Sequence, residues 1–182
     1  MSFNNLELII GPMFSGKSSE LIRKIRLAKT INKKVLVIKP LIDNRYNNTK
    51  IVSHSLESEN CETVENLKSL DDKIDGYDLI VIDEGQFFID LKEYVIKWIE
   101  VNKKDIIIGG LDGDYKRKPI GQILELIPYA NKCQKINSLC KTCGDGTEAS
   151  FSHRMSSHSS QVLVGGNETY MALCRKHYLE LN

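Results

Sequence analysis

The sequence predicts an α/β fold: a parallel sheet carrying a phosphate-binding loop, flanked by helices, with a small zinc-ribbon module at its C-terminal end. Three observations predict it. Gly11-Pro12-Met13-Phe14-Ser15-Gly16-Lys17-Ser18 fits G-x-x-x-x-G-K-[ST] and lies between an apolar run and a helical pattern. Apolar, β-branched runs recur down the chain, as buried parallel strands require. Cys140-x-x-Cys143 and Cys174-x-x-His177 are two knuckles with metal-ligand spacing. The expected division is 1–139 for the nucleotide-binding domain and 140–182 for the zinc-binding one.

In order, Leu6 to Ile10 reads as a strand entering the loop. Leu21, Ile25 and Ala28 then fall at i, i+4 and i+7, one face of a helix. Lys34 to Lys39 is a second strand, ended by Pro40. Asp43 to Lys50 is a polar surface loop in which Arg45 is either a phosphate contact or a solvated side chain. Ile51 to His54 is a short strand, Cys61 an isolated apolar thiol, and Thr63 to Leu70 a helix. Asp78 to Asp83 is the third strand. Leu91 to Val101 is a helix with Trp98 on its apolar stripe, and Asp105 to Gly110 is the fourth strand. Ile120 to Ile127 reads as a short helix and Lys132 to Ile136 as a further strand, with Cys133 a structural residue. Val162 to Val164 reads as a strand before Gly165-Gly166.

Composition narrows the partners. Lys plus Arg total 25 and Asp plus Glu 24, a net charge of +1, which gives no pull toward nucleic acid or an anionic membrane. No apolar run approaches a membrane span. The N-terminus shows no basic region followed by an apolar stretch, so no leader is expected and the cytoplasm is the expected compartment. Five cysteines, an odd number grouped late in the chain, favour metal over disulfides.

The loop motif needs its residue types. Two glycines let backbone N–H groups approach a phosphate, Lys17 brings charge to the β- and γ-phosphates of ATP, and Ser18 offers a hydroxyl to Mg²⁺. The following helix directs its positive end at the anion. In parallel sheets ligands sit outside the carboxyl ends of the strands, so Asp83-Glu84 shares an edge with the loop. An apolar strand ending in Asp is the second Mg²⁺-holding element. Glu84 is placed as a base. Acting on water it makes an ATPase; acting on a substrate hydroxyl it makes a kinase. Lys116-Arg117-Lys118 leaves the same edge and is either solvated or in contact with polyphosphate. Three thiolates and one imidazole from the two knuckles complete a tetrahedral Zn²⁺, with no open position for catalysis. His153 and His158 are further nitrogen donors, but the ligand set is already full. The Ser- and His-rich segment between the knuckles, pinned at its base, has the character of a lid. A zinc-ribbon nucleic-acid module with a vestigial loop is the third reading, and the absence of a basic stripe counts against it.

The chain resembles the type II thymidine kinases. The resemblance rests on Met13-Phe14 inside the loop, Asp83-Glu84-Gly85-Gln86-Phe87-Phe88, Leu111-Asp112-Gly113, Arg117-Lys118-Pro119, and the run from Gly165-Gly166 through Tyr170 to Cys174. It implies transfer of the ATP γ-phosphate to the 5′-hydroxyl of thymidine or deoxyuridine, with Glu84 as base. It implies that Asp43, Asn44 and Arg45, with Asp83, Glu84, Gly85 and Gln86, line the nucleotide region. The implied thymidine pocket comprises Met13, Phe87, Leu111, Tyr115, Ser152, Gln161, Val162, Leu163, Val164, Gly165 and Tyr170. A lasso within Phe151 to Val164, which includes Arg154, is implied to fold over the base. The resemblance also implies a homotetramer and feedback inhibition by thymidine triphosphate. His177 stands where many relatives have Cys, and zinc accepts either.

Overall fold

A computed structural model describes residues 4–43, 49–52 and 57–181. Asn44, Arg45 and His54, singled out in the sequence, lie outside that set. The strands are β1 (Leu6–Gly11), β2 (Val35–Pro40), β3 (Lys50–Val52), β4 (Ser58–Asn60), β5 (Glu62–Val64), β6 (Leu79–Ile82), β7 (Asp105–Leu111), β8 (Lys132–Lys135), β9 (Ser138–Leu139), β10 (Glu148–Ala149), β11 (Phe151–Arg154) and β12 (Tyr170–Leu173). The helices are α1 (Lys17–Thr30), α2 (Leu91–Glu100) and α3 (Arg175–Leu181).

Six strands form one sheet in the order β5-β2-β6-β7-β1-β8, every pairing parallel. All their carboxyl ends therefore share one edge. The two-residue alternation of strand side chains sorts the apolar residues into two cores. Leu8, Ile38, Ile82 and Ile108 face α2 and its fully buried Trp98. Ile9, Val37 and Val81 face Leu21, Ile22, Ile25 and Ala28 of α1. Truncating a residue such as Trp98 costs about 3–5 kcal/mol. Helix α1 opens at Gly16, whose φ of 83° is left-handed. It closes on Asn32, φ 60°, with Lys33 N–H donating to Ala28 O at 3.1 Å and Asn32 N–H to Lys29 O at 3.0 Å. This is a Schellman stop with Asn in the position glycine usually takes.

The second unit is small. Strands β9 and β10 pair antiparallel, as do β11 and β12, and α3 packs on them around Cys140, Ala149, Ala172, Leu173 and Tyr178. Four expectations need correction. Thr63 to Leu70 is not a helix: Glu62–Val64 adds the edge strand β5, and only Leu67–Leu70 turns, as a 3₁₀ segment. Asn66 causes the break by accepting the Ser69 N–H with its side chain. Ile120 to Ile127 is instead a 3₁₀ segment, Ile123–Tyr129, containing Pro128. Val162 to Val164 joins no ladder. Cys133, expected to be structural, is exposed, because β8 is the sheet's last strand.

Candidate functional site

Strand β1 delivers the chain directly into the phosphate-binding loop. Gly11 is required there: a Cβ would lie 2.1 Å from Ile136 O. Lys17 folds back over the loop and is buried, donating from Nζ to Pro12 O at 2.6 Å and to Gly11 O and Ser15 Oγ at 3.3 Å. Its charge thus lies on the wall of the cavity described below. The loop is also held from the small unit. Met13 N–H donates to Ser152 Oγ at 2.9 Å, and Ser138 Oγ–H donates to Phe14 O at 3.0 Å.

Beyond β6, Ser18 Oγ–H donates to Asp83 Oδ2 at 3.0 Å, and Glu84 N–H to Asp83 Oδ1 at 3.0 Å. Asp83 is 5% exposed. Glu84 has φ 52° and ψ 42°, a left-handed conformation that costs a non-glycine residue about 1–3 kcal/mol. Its carboxylate Oε2 accepts from Gln86 Nε2 at 2.6 Å. Gln86, 3% exposed, is anchored in turn: its Oε1 accepts the Leu111 N–H at 3.0 Å. Gly110 makes the room, since a Cβ there would lie 2.5 Å from Gln86 Oε1.

One cavity is lined by Met13 to Ser18, by Asp43, Asp83, Glu84 and Phe87, by Leu111 and Tyr115, and by Ser152, Gln161 to Gly165 and Tyr170. The residues expected for the phosphate side and the acceptor side therefore meet in a single space. Gly11 and Pro12 are not among the residues that line it. Gly85 and Gln86 are turned away from it into the core, where a Cβ on Gly85 would meet Ile108 Cγ2 at 2.6 Å. The basic run at Lys116 to Lys118 is exposed, with Arg117 stacked 4.7 Å from the Tyr178 ring centroid. Among the cavity residues that sequence reasoning missed, two carry a buried charge. Lys39, 2% exposed and 3.6 Å from Asp43 Oδ2, stands one residue before the end of β2 on the active edge. A lysine near the end of an otherwise apolar strand was the available signal. Asp114 was missed because its role is set by a distant partner: its Oδ2 accepts from Gln161 Nε2 at 3.0 Å. A second tie runs from Tyr115 Oη–H to Ser159 O at 3.2 Å.

The two knuckles close on each other. Cys140, Cys143, Cys174 and His177 place their ligand atoms within 4.8 Å of one another. Tetrahedral zinc, with bonds of about 2.3 Å to sulfur and 2.0–2.1 Å to nitrogen, requires edges of roughly 3.8 Å between sulfurs and 3.5 Å between sulfur and nitrogen. The observed edges are 3.9 Å for Cys143 to Cys174, and 3.5, 3.3 and 3.4 Å from His177 Nδ1 to Cys140, Cys143 and Cys174. Burial opposes ionisation of Cys140, but the backbone N–H groups of Cys174 and Cys143 and the His177 ring outweigh it and bring the thiol to about 6. Burial, reinforced by the sulfurs of Cys140 and Cys174, pushes Cys143 up to about 11. Three thiolates repel one another unless a cation joins them, so the donor chemistry fits zinc.

A loop that gathers phosphates, with a carboxylate reaching the same enclosed space, is the arrangement of a P-loop phosphotransferase. Comparison with known proteins narrows that class. A family model for thymidine kinase matches residues 4–178. A thymidine kinase of Oryza sativa subsp. japonica is 38% identical, over 96% of this chain and 66% of its own. Thymidine kinase a of Arabidopsis thaliana is also 38% identical, over 96% of this chain and 74% of its own. The thymidine kinase of Vaccinia virus (strain Western Reserve) is 40% identical over 99% of each. The chain belongs to the thymidine kinase family.

Proposed function

We propose that this chain transfers the γ-phosphate of ATP to the 5′-hydroxyl of thymidine, and of deoxyuridine, yielding the monophosphate for nucleotide salvage. One observation carries the reading: Glu84 lines the same cavity as the loop, opposite a lid latched at Gln161. Glu84 takes the proton of the 5′-hydroxyl as that oxygen bonds to the γ-phosphorus, and the bridging oxygen leaves on ADP. Lys17 and the loop N–H groups meet the growing negative charge. Gln86 serves Glu84 rather than the nucleotide. Met13, Phe87, Leu111, Tyr115, Ser152, Gln161 to Gly165 and Tyr170 form the nucleoside side, with the lid keeping water from Glu84.

Ser18 and Asp83, already paired at 3.0 Å, would hold Mg²⁺, which supplies charge screening for the β- and γ-phosphates. Zinc at Cys140, Cys143, Cys174 and His177 is structural and organises 140–182 as a module of its own. Thymidine triphosphate acts as a feedback inhibitor by occupying the nucleoside site. The working form is a homotetramer in the cytoplasm; among the described residues no helix is long and apolar enough to cross a membrane. The test is to incubate the protein with Mg-ATP and a nucleoside panel, measuring monophosphate and free phosphate. Thymidine and deoxyuridine monophosphate matching ADP mole for mole is the expected result. Phosphate release without nucleotide product would overturn it in favour of an ATPase.

A further inference from the structure

Tyr178 directly follows His177 on α3 and is buried. Its ring belongs to the core of the small unit, with its centroid 5.2 Å from that of Phe151. Core packing alone asks for no hydroxyl there, and phenylalanine would fill the same space. The hydroxyl instead reaches out of the unit. It donates to Tyr115 O at 2.7 Å, across 63 residues of chain, in the loop after β7. The first turn of α3, closed by the Tyr178 N–H on Cys174 O at 2.9 Å, spans two of the four knuckle ligands. One turn of helix thus carries both half of the metal site and a tie to the larger sheet.

The loop that it grips is stiff. Asp114 Oδ1 accepts the N–H groups of Lys116 and Lys118, each at 2.8 Å. Asp114 N–H donates to Lys118 O at 2.8 Å, and Arg117 N–H to Asp114 O at 2.9 Å. Arg117 has φ 62°, a left-handed backbone that a non-glycine residue keeps only where its surroundings fix it. Here its guanidinium lies 4.7 Å from the Tyr178 ring centroid and 5.8 Å from that of Phe151. Residues 114 to 118 therefore form one piece, and Tyr178 holds it twice, by hydroxyl at 115 and by ring at 117. Tyr115 lines the cavity, and Tyr178 does not. Fixing the Tyr115 carbonyl fixes its peptide plane, and so the direction in which its ring leaves the backbone. We infer that Tyr178 is a positioning residue for the nucleoside: it sets the angle at which the Tyr115 ring meets the bound nucleoside, and it joins the metal knuckle to that wall. The inference rests on the nucleoside kinase reading.

The test is a double-mutant cycle of Tyr178→Phe and Tyr115→Ala on the full chain, with steady-state kinetics, zinc content and amide hydrogen exchange. Tyr178→Phe keeps the ring and removes only the hydroxyl. It is expected to raise the thymidine KM about 3- to 10-fold, with kcat and the ATP KM within about twofold. Zinc stays at about one per chain, and exchange across 114–118 speeds up while α1 and the sheet stay protected. With Tyr115→Ala already in place, no ring remains to be aimed, and Tyr178→Phe should shift the thymidine KM by less than about 1.5-fold. The same fold-change in both backgrounds would overturn the inference, because Tyr178 would then be acting on something other than Tyr115. An unchanged thymidine KM in the single variant would also overturn it, as would kcat and the ATP KM worsening in step or zinc being lost. A wild type that phosphorylates no nucleoside would sink the functional reading instead. The exchange comparison then still decides whether Tyr178 holds the loop: unchanged exchange across 114–118 overturns that hold.

Discussion

Gln86→Met is the sharpest probe of how Glu84, the proposed base, is held. Methionine matches glutamine in length and fills the slot that Gly110 leaves, but it neither donates nor accepts usefully. Two bonds vanish. The Leu111 N–H, paired at 3.0 Å with Gln86 Oε1, is left without that partner inside the protein, at about 1–3 kcal/mol. The 2.6 Å bond to Glu84 is charge-assisted, and such bonds contribute about 1.5–3 kcal/mol. Glu84 is only half-buried and recovers water, so the lower end applies to it. The variant should lose about 2.5–4.5 kcal/mol of unfolding free energy. Its carboxylate also loses its fixed position, and misplacement of a reacting group costs about 100-fold in rate. The expected result is a urea midpoint shifted to match, kcat down about 10- to 100-fold, and an almost unchanged KM for ATP. Stability within about 0.5 kcal/mol of wild type, with normal kcat, would refute the reasoning, since surface-like substitutions behave that way.

Other tests follow from the same geometry. Glu84→Gln should cost about 10²- to 10⁴-fold in kcat while nucleotide affinity, read by calorimetry, is preserved. Gly11→Ala should abolish nucleotide binding, because its Cβ would sit 2.1 Å from Ile136 O; a normal ATP affinity would contradict the loop packing. Chelation should remove about one zinc per chain and lower the melting temperature, with thiol titration of the knuckle cysteines reporting the loss. Acid should weaken the fold. Lys97 and Trp98 hold the Asp71 carboxyl below its ordinary 3.8, and Lys132 and Lys24 outweigh burial to hold Glu7 below 4.5. Both groups are depressed in the folded chain, so their contribution is complete above those values and is lost as pH falls through the folded ones. Denaturation from about pH 6 to pH 3 should show the decline, and Asp71→Asn should flatten it.

Most of the sheet was readable because its signals are local. The loop motif, the apolar strands and the helical spacing of Leu21, Ile25 and Ala28 each lie within a few residues, and burial follows from them. The cysteine spacing likewise announced its donor set. What escaped depends on partners far along the chain. Val162 to Val164 has strand composition, yet its neighbours' carbonyls answer to Arg154 and Tyr170. The resemblance places Gln86 in the nucleotide region, but the room that Gly110 leaves on β7 lets its side chain turn inward. Thr63 to Leu70 has apolar spacing suited to a helix, and a vacant sheet edge beside β2 took its first residues.

The bond from Met13 N–H to Ser152 Oγ has a consequence for anyone redesigning this enzyme. In the proposed function the same short turn cradles the donor through its amides, and it is moored to β11, the strand that begins the proposed lid. Donor affinity and acceptor choice therefore share one mechanical part. A library that varies residue 152 to admit a bulkier base will also detune the grip on ATP, and gains in one will trade against the other. Paired libraries at 13 and 152, screened together, are the way to move the two apart.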